Sequence, residues 1–117
     1  MTLRLRLRLD LGGVRFGPGK AELLERIREG GSISAAGRDM GMSYKRAWML
    51  VEEMNTAFRT PLVDSTRGGA HGGGARLTEA GAAVLAHYRR VVAQAERAGA
   101  QDIDAIAAML SDIPDEK

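Results

Sequence analysis

Residues 31–55 read GSISAAGRDMGMSYKRAWMLVEEMN, two helix-forming runs divided at Met40-Gly41-Met42. Ser34 can cap a short helix through Met40, because a serine oxygen accepts a backbone N–H that the first turn leaves unpaired. Gly41 permits a tight turn, and Ser43 can cap a second helix running to about Phe58. Two capped helices joined by a three-residue turn form a helix-turn-helix candidate. At 100° per residue, Ala47, Val51, Met54 and Phe58 of the second helix share the core side. Lys45, Met49 and Glu52 point the opposite way, with Arg46 and Glu53 on one shoulder and Tyr44 and Trp48 on the other.

A helix that reads DNA offers its amino-terminal residues to base edges, which selects Ser43, Tyr44, Lys45, Arg46 and Met49. Lysine or arginine can donate to guanine O6 and N7, and Ser43 or Tyr44 can hold a phosphate. Glu52 and Glu53 would repel phosphates, so contact is expected to end before them. Trp48 either faces the nucleic acid or packs as a partly buried flank residue, the commoner use of tryptophan.

Downstream, residues 67–76 read RGGAHGGGAR, five glycines and one histidine between two arginines. As a linker, this stretch would have to precede a domain of only about 40 residues, few for independent folding. As a phosphate-binding P-loop it lacks the Lys-Ser or Lys-Thr pair that must follow the glycines. As the tip of a hairpin it fits, since LVDST before it and ARLT after it read as two short strands. A helix-turn-helix followed by such a hairpin is a winged helix-turn-helix, mainly α with a small β-hairpin, and the glycine loop is its wing. Gly68, Gly69, Gly72 and Gly73 would bring backbone close to a sugar-phosphate surface. Arg67 and Arg76 at its base, and His71 near its tip, would meet phosphates or a narrow minor groove, with Ser34 as a further helix-turn-helix contact.

Around this centre, LRLRLRLDL at the amino terminus alternates with period two. Leu3, Leu5, Leu7, Leu9 and Leu11 fall on one face of a half-buried strand, Arg4, Arg6, Arg8 and Asp10 on the other. The arginine row is read first as charge protecting a strand edge, with a phosphate stripe as the alternative. Pro18 to Glu29 has helical spacing, closed by Gly30-Gly31. Thr78 can cap a long helix whose apolar residues recur at three- and four-residue steps to Gly99, and a last helix spans roughly Gln101 to Asp112.

The 117 residues suit one domain, here divided into a winged helix-turn-helix over 1–98 and a carboxy-terminal helix with acidic tail over 99–117. Without cysteine there are no disulfides or thiolate metal sites, and two isolated histidines do not make a metal centre. No cofactor is expected, and no Ser-His-Asp order or nucleotide motif points to an enzyme. No apolar run reaches the ~20 residues of a membrane span, and the composition fits a reducing cytoplasm. Residues 1–100 hold 16 Lys and Arg against 10 Asp and Glu, whereas residues 101–117 hold one against five. A basic body with an acidic tail suits a polyanionic partner, double-stranded DNA, although a winged helix can also serve as a protein-interaction module or bind DNA without sequence preference.

The run from Gly31 to Asn55, with PLVDSTRGGAHGGGARLTEAG over 61–81, resembles the amino-terminal DNA-binding domain of the molybdate-dependent transcriptional regulator (ModE) family, itself related to the LysR-type helix-turn-helix. The resemblance covers about residues 18–98. It implies a transcriptional regulator that binds palindromic operators as a homodimer. The implied dimer surface is the helix from Thr78 to Ala98, through Val84, Leu85, Tyr88, Val91, Val92 and Ala95, with residues 101–113 and the first helix. The same apolar spacing also suits packing inside one subunit. In that family the molybdate-binding domains follow this point, so the chain is expected to stand alone, with molybdate or another oxyanion acting, if at all, through a separate sensor protein.

Overall fold

The computed structural model describes residues 4–66 and 74–111. Two strands, β1 (Leu9–Asp10) and β2 (Arg15–Phe16), pair antiparallel with Leu9 opposite Phe16. The amino-terminal alternation survives as burial, with Leu5, Leu7 and Leu9 half-buried and Arg4, Arg6, Arg8 and Asp10 exposed. Only the last two of these residues join a ladder, because the partner strand is itself two residues long. Leu11 leaves the pattern and is exposed: its N–H already bonds the Val14 carbonyl at 2.8 Å in the turn that Gly12 makes at φ 85°.

Helix α1 (Pro18–Gly30) starts on proline and stops at Gly31, which sits in the left-handed region with its N–H on the Ile27 carbonyl. Its Leu23, Leu24 and Ile27 are fully buried and form the middle of the core. Helix α2 (Ile33–Asp39) is capped by Ser32, whose oxygen accepts from the Ala35 N–H at 3.0 Å, and not by Ser34. The reason is local. The chain leaves the Gly31 cap extended at Ser32, and Ile33 must already be helical to drop into the core, so Ser34 falls inside the first turn.

Helix α3 (Tyr44–Ala57) is capped by Ser43, whose oxygen accepts from the Arg46 N–H at 3.1 Å. The turn before it passes through Gly41 at φ 76°. Helices α2 and α3 cross closely at Gly37, where a Cβ would lie 2.7 Å from that of Ala47, so neither residue has room to grow. Ala47, Val51 and Met54 are buried as their spacing requires, and Phe58, just past the helix, packs half-buried against the same core.

The strands β3 (Val63–Thr66) and β4 (Gly74–Leu77) form the hairpin, with Val63 opposite Leu77 and Thr66 opposite Gly74. Its root is held from three sides. The Ala75 N–H bonds the Gly31 carbonyl, the Thr78 N–H bonds the Leu62 carbonyl, and the Asn55 side chain bonds Leu62 and Val63.

Helix α4 (Glu79–Ala98) is capped by Thr78, whose oxygen accepts from the Gly81 N–H and donates to the Pro61 carbonyl. Its first turns enter the core through Leu85 and Tyr88. The Tyr88 ring meets Phe16 edge-on, and its hydroxyl donates to the Leu7 carbonyl at 2.6 Å, tying the amino-terminal segment to α4. Burial raises the Tyr88 phenol above its ordinary range, which keeps that donor protonated. Helix α5 (Ala100–Ala108) is shorter than its sequence suggests and buries nothing fully. The radius of gyration is 17.2 Å, against roughly 13 to 14 Å for a compact chain of this length, because α4 and α5 extend beyond the core as an arm.

Candidate nucleic-acid interface

The candidate interface centres on the first two turns of α3. With Ala47, Val51 and Met54 committed to the core, helical geometry pushes Tyr44, Lys45, Arg46 and Met49 outward, and all four are exposed. Neither Lys45 nor Arg46 forms an ion pair with another described residue. Ser43 spends its side-chain oxygen on the helix cap, so its contribution to a ligand comes on top of that structural bond.

Charge along α3 runs against the helix dipole. Its first turn carries no acid and two bases, and its two glutamates lie in the second half. A cation near a helix amino terminus opposes the partial positive charge there, at a cost of a few tenths of a kcal/mol to ~1 kcal/mol each. Helix α4 shows the favourable order, with Glu79 in its first turn and Arg97 in its last. This reversed order leaves two exposed cations at the start of α3 without local compensation from an acid, and it was readable from the sequence once the helix start was known.

The two glutamates differ in a way that periodicity alone did not reveal. Glu53 lies 3.4 Å from the Lys20 ammonium at the start of α1, so its charge is partly neutralised. Glu52 is exposed and has no ion-pair partner among the described residues. It shares one stripe with Lys45 and Met49, beside an open depression of about 660 Å³ whose far wall is Leu11 and Val14 from the β1–β2 turn.

On the other shoulder, Trp48 is half-buried and packs against the core, with Tyr44 edge-on to it at 6.1 Å. Its indole N–H is buried without an acceptor among the described residues. The packing alternative therefore describes Trp48, which supports the floor of a smaller hollow of about 130 Å³. Ser34, Tyr44, Ser65 and Thr66 surround this hollow, so the α2 start, the α3 start and the hairpin root meet there. Arg76 stands exposed on β4, 4.0 Å from Asp64 across the ladder. Arg67, Gly68, Gly69, His71, Gly72 and Gly73 lie outside the described residues.

The residues expected on a dimer face divide differently. Leu85 and Tyr88 are buried inside the subunit, 2% and 3% exposed, because α4 needs two large side chains to seat its root on Phe16 and α1. That use takes them off any outward seam. Val84 and Val92 pack partly buried on the same core, Ala95 is half-buried, and Val91 is exposed. Besides Val91, the outward apolar residues of this part of the chain lie farther along the arm: Ile106, Met109 and Leu110, with Met109 84% exposed.

An exposed, basic, capped helix held behind a tight two-helix turn and flanked by a hairpin defines a winged helix-turn-helix domain. The chain belongs to the lysR family of bacterial regulatory helix-turn-helix proteins, whose pattern it matches over residues 19–82. It is 46% identical over 77 residues to the molybdenum-pterin-binding protein MopA of Rhodobacter capsulatus, covering 66% of this chain and 29% of that protein. To MopB of the same organism it is 45% identical over 85 residues, covering 73% and 32%. With the DNA-binding transcriptional dual regulator ModE of Escherichia coli (strain K12) it shares 39% identity over 88 residues, covering 75% and 32%. The chain thus matches about a third of the length of these relatives. Among the described residues no group of three His, Cys, Asp or Glu is placed to hold a metal ion, and no helix is long and apolar enough to cross a membrane.

Proposed function

We propose that this chain reads operator DNA for a bacterial transcriptional regulator, acting as a homodimer on an inverted repeat and tied to molybdate. The observation that carries the proposal is the first turn of α3, where Lys45 and Arg46 stand exposed against the helix dipole beside Tyr44 and Met49. A double-stranded nucleic acid supplies what this surface lacks: phosphates for the charge, and major-groove acceptors for the donors. The molybdate link rests on the resemblance and on the relatives' names, and in this reading the oxyanion signal reaches the described residues from a sensor, fused or separate.

The test is selection of bound duplexes from a random pool, followed by titration of the enriched site. Lys45→Ala and Arg46→Ala are expected to relax base preference at particular positions, each at about 1 to 3 kcal/mol per lost base contact. Arg76→Ala should weaken all duplexes alike and flatten the salt dependence by about one phosphate. Unchanged preference in both recognition-helix variants would remove α3 from the role given to it here.

Dimerisation is assigned to the outward apolar residues of the arm, because Ile106, Met109 and Leu110 stand exposed among the described residues and α5 buries nothing fully. The paired change Ile106→Asp with Leu110→Asp should leave a folded monomer in sedimentation. Its affinity for the full inverted repeat should fall by roughly 100-fold, since the second half-site no longer binds in the same event. A variant that remains dimeric would move the seam back toward α1 and the middle of α4.

A further inference from the structure

The face of α3 does not end at its charges. Lys45, Met49 and Glu52 stand at helical positions i, i+4 and i+7, the spacing by which a helix lying along the major groove reaches successive bases. They present in order a donor, an apolar side chain and an acceptor, spread over roughly 10 Å of helix. Met49 is 56% exposed, next to a depression that Leu11 and Val14 make apolar. For a residue serving only the core, this position is wasted. Glu52 is the acid on this face whose charge no described residue answers, whereas its neighbour Glu53 is drawn to Lys20.

A carboxylate facing DNA must repel phosphates unless it gains something specific, and in the major groove it can do so by accepting from the N4 amine of cytosine. A bare apolar group gains most from the 5-methyl of thymine. We propose that base reading extends past the first turn of α3, with Met49 packing on a thymine methyl and Glu52 accepting a hydrogen bond from a cytosine amine. This rests on the DNA-reading role proposed above and replaces the expectation that contact stops before Glu52.

The test begins with the full chain and the random duplex pool, then uses the enriched site. Glu52→Ala should lose roughly tenfold in affinity for that site and relax preference at one C·G pair. Glu52→Gln should retain most of that preference, since its amide oxygen still accepts. Replacing thymine by deoxyuridine at the neighbouring position should weaken the wild-type protein and leave Met49→Ala unaffected. If Glu52 merely repels phosphate, both Glu52 variants bind every duplex more tightly and alike, with preference unchanged. That result, or indifference to deoxyuridine throughout the site, overturns the proposal and leaves the DNA-reading role standing. Failure of the wild-type chain to enrich any sequence overturns both.

Discussion

Gly81→Ala is expected to destabilise the protein by about 3 kcal/mol or more, although alanine is the better helix former. Gly81 lies in the first turn of α4, directly over the backbone of Leu62. A Cβ there would fall inside any allowed contact with the Leu62 carbonyl oxygen, and 3.0 Å from its carbonyl carbon. Relief by a side-chain rotation is closed, since the obstacle is main chain. Relief by moving Leu62 is closed as well: its side chain is fully buried, its N–H is held by Asn55 at 2.8 Å and its carbonyl by the Thr78 N–H at 2.9 Å. The intrinsic helix gain of glycine to alanine is only about 1 kcal/mol, so the clash wins. Thermal unfolding should show the loss as a fall of roughly 10 °C in melting temperature. A midpoint equal to that of the wild type would mean that α4 docks on the hairpin root more loosely than the structure places it.

Asn55→Ala should cost nearly as much, about 3 kcal/mol, for a different reason. One amide in the last turn of α3 accepts from the N–H groups of Leu62 and Val63, at 2.8 and 3.1 Å, and donates to the Val63 carbonyl at 3.1 Å. Removing it strands three backbone groups at the buried residues Leu62 and Val63, where water reaches them poorly. Asn55→Asp keeps the acceptor oxygen for both N–H groups but loses the donor and adds a charge, and should fall between alanine and wild type. Urea denaturation gives the magnitude. Hydrogen exchange gives the location, with protection lost first over residues 62–66. Uniform loss of protection across the domain, with none ahead at the hairpin root, would show that Asn55 does not specifically anchor that root.

The parts of this architecture carried by local chemistry were legible without coordinates. Ser43 and Thr78 cap the helices they precede, Pro18 opens α1, and Ala47, Val51 and Met54 share one apolar face by their 3.6-residue spacing, which the core buries. What the sequence left hidden depends on partners distant along the chain. Ser32 and Ser34 are equivalent by composition, and only the seating of Ile33 chooses between them. Periodicity placed Leu85 and Tyr88 on an apolar face without saying which neighbour covers it, and that neighbour is the subunit's own Phe16 and α1. Asn55 has no periodic signature, since its function is to satisfy backbone seven and eight residues downstream. In the candidate site, Lys45 and Met49 were visible as the side opposite the core, with Arg46 on its shoulder. The difference between Glu52 and Glu53 was not, because it arises from Lys20 on another helix.

The reversed charge order of α3 bears on where this domain is weakest. Its opening turn holds two cations against the positive end of its own dipole, with the Ser43 cap as the one local compensation. No acidic side chain stands there, and a phosphate can take that position. On the reading proposed above, a duplex laid across this turn would supply that charge, so binding is expected to stabilise the amino terminus of α3. In that case recognition and the stability of this turn are linked, because a bound phosphate adds to the helix start the charge that its sequence withholds.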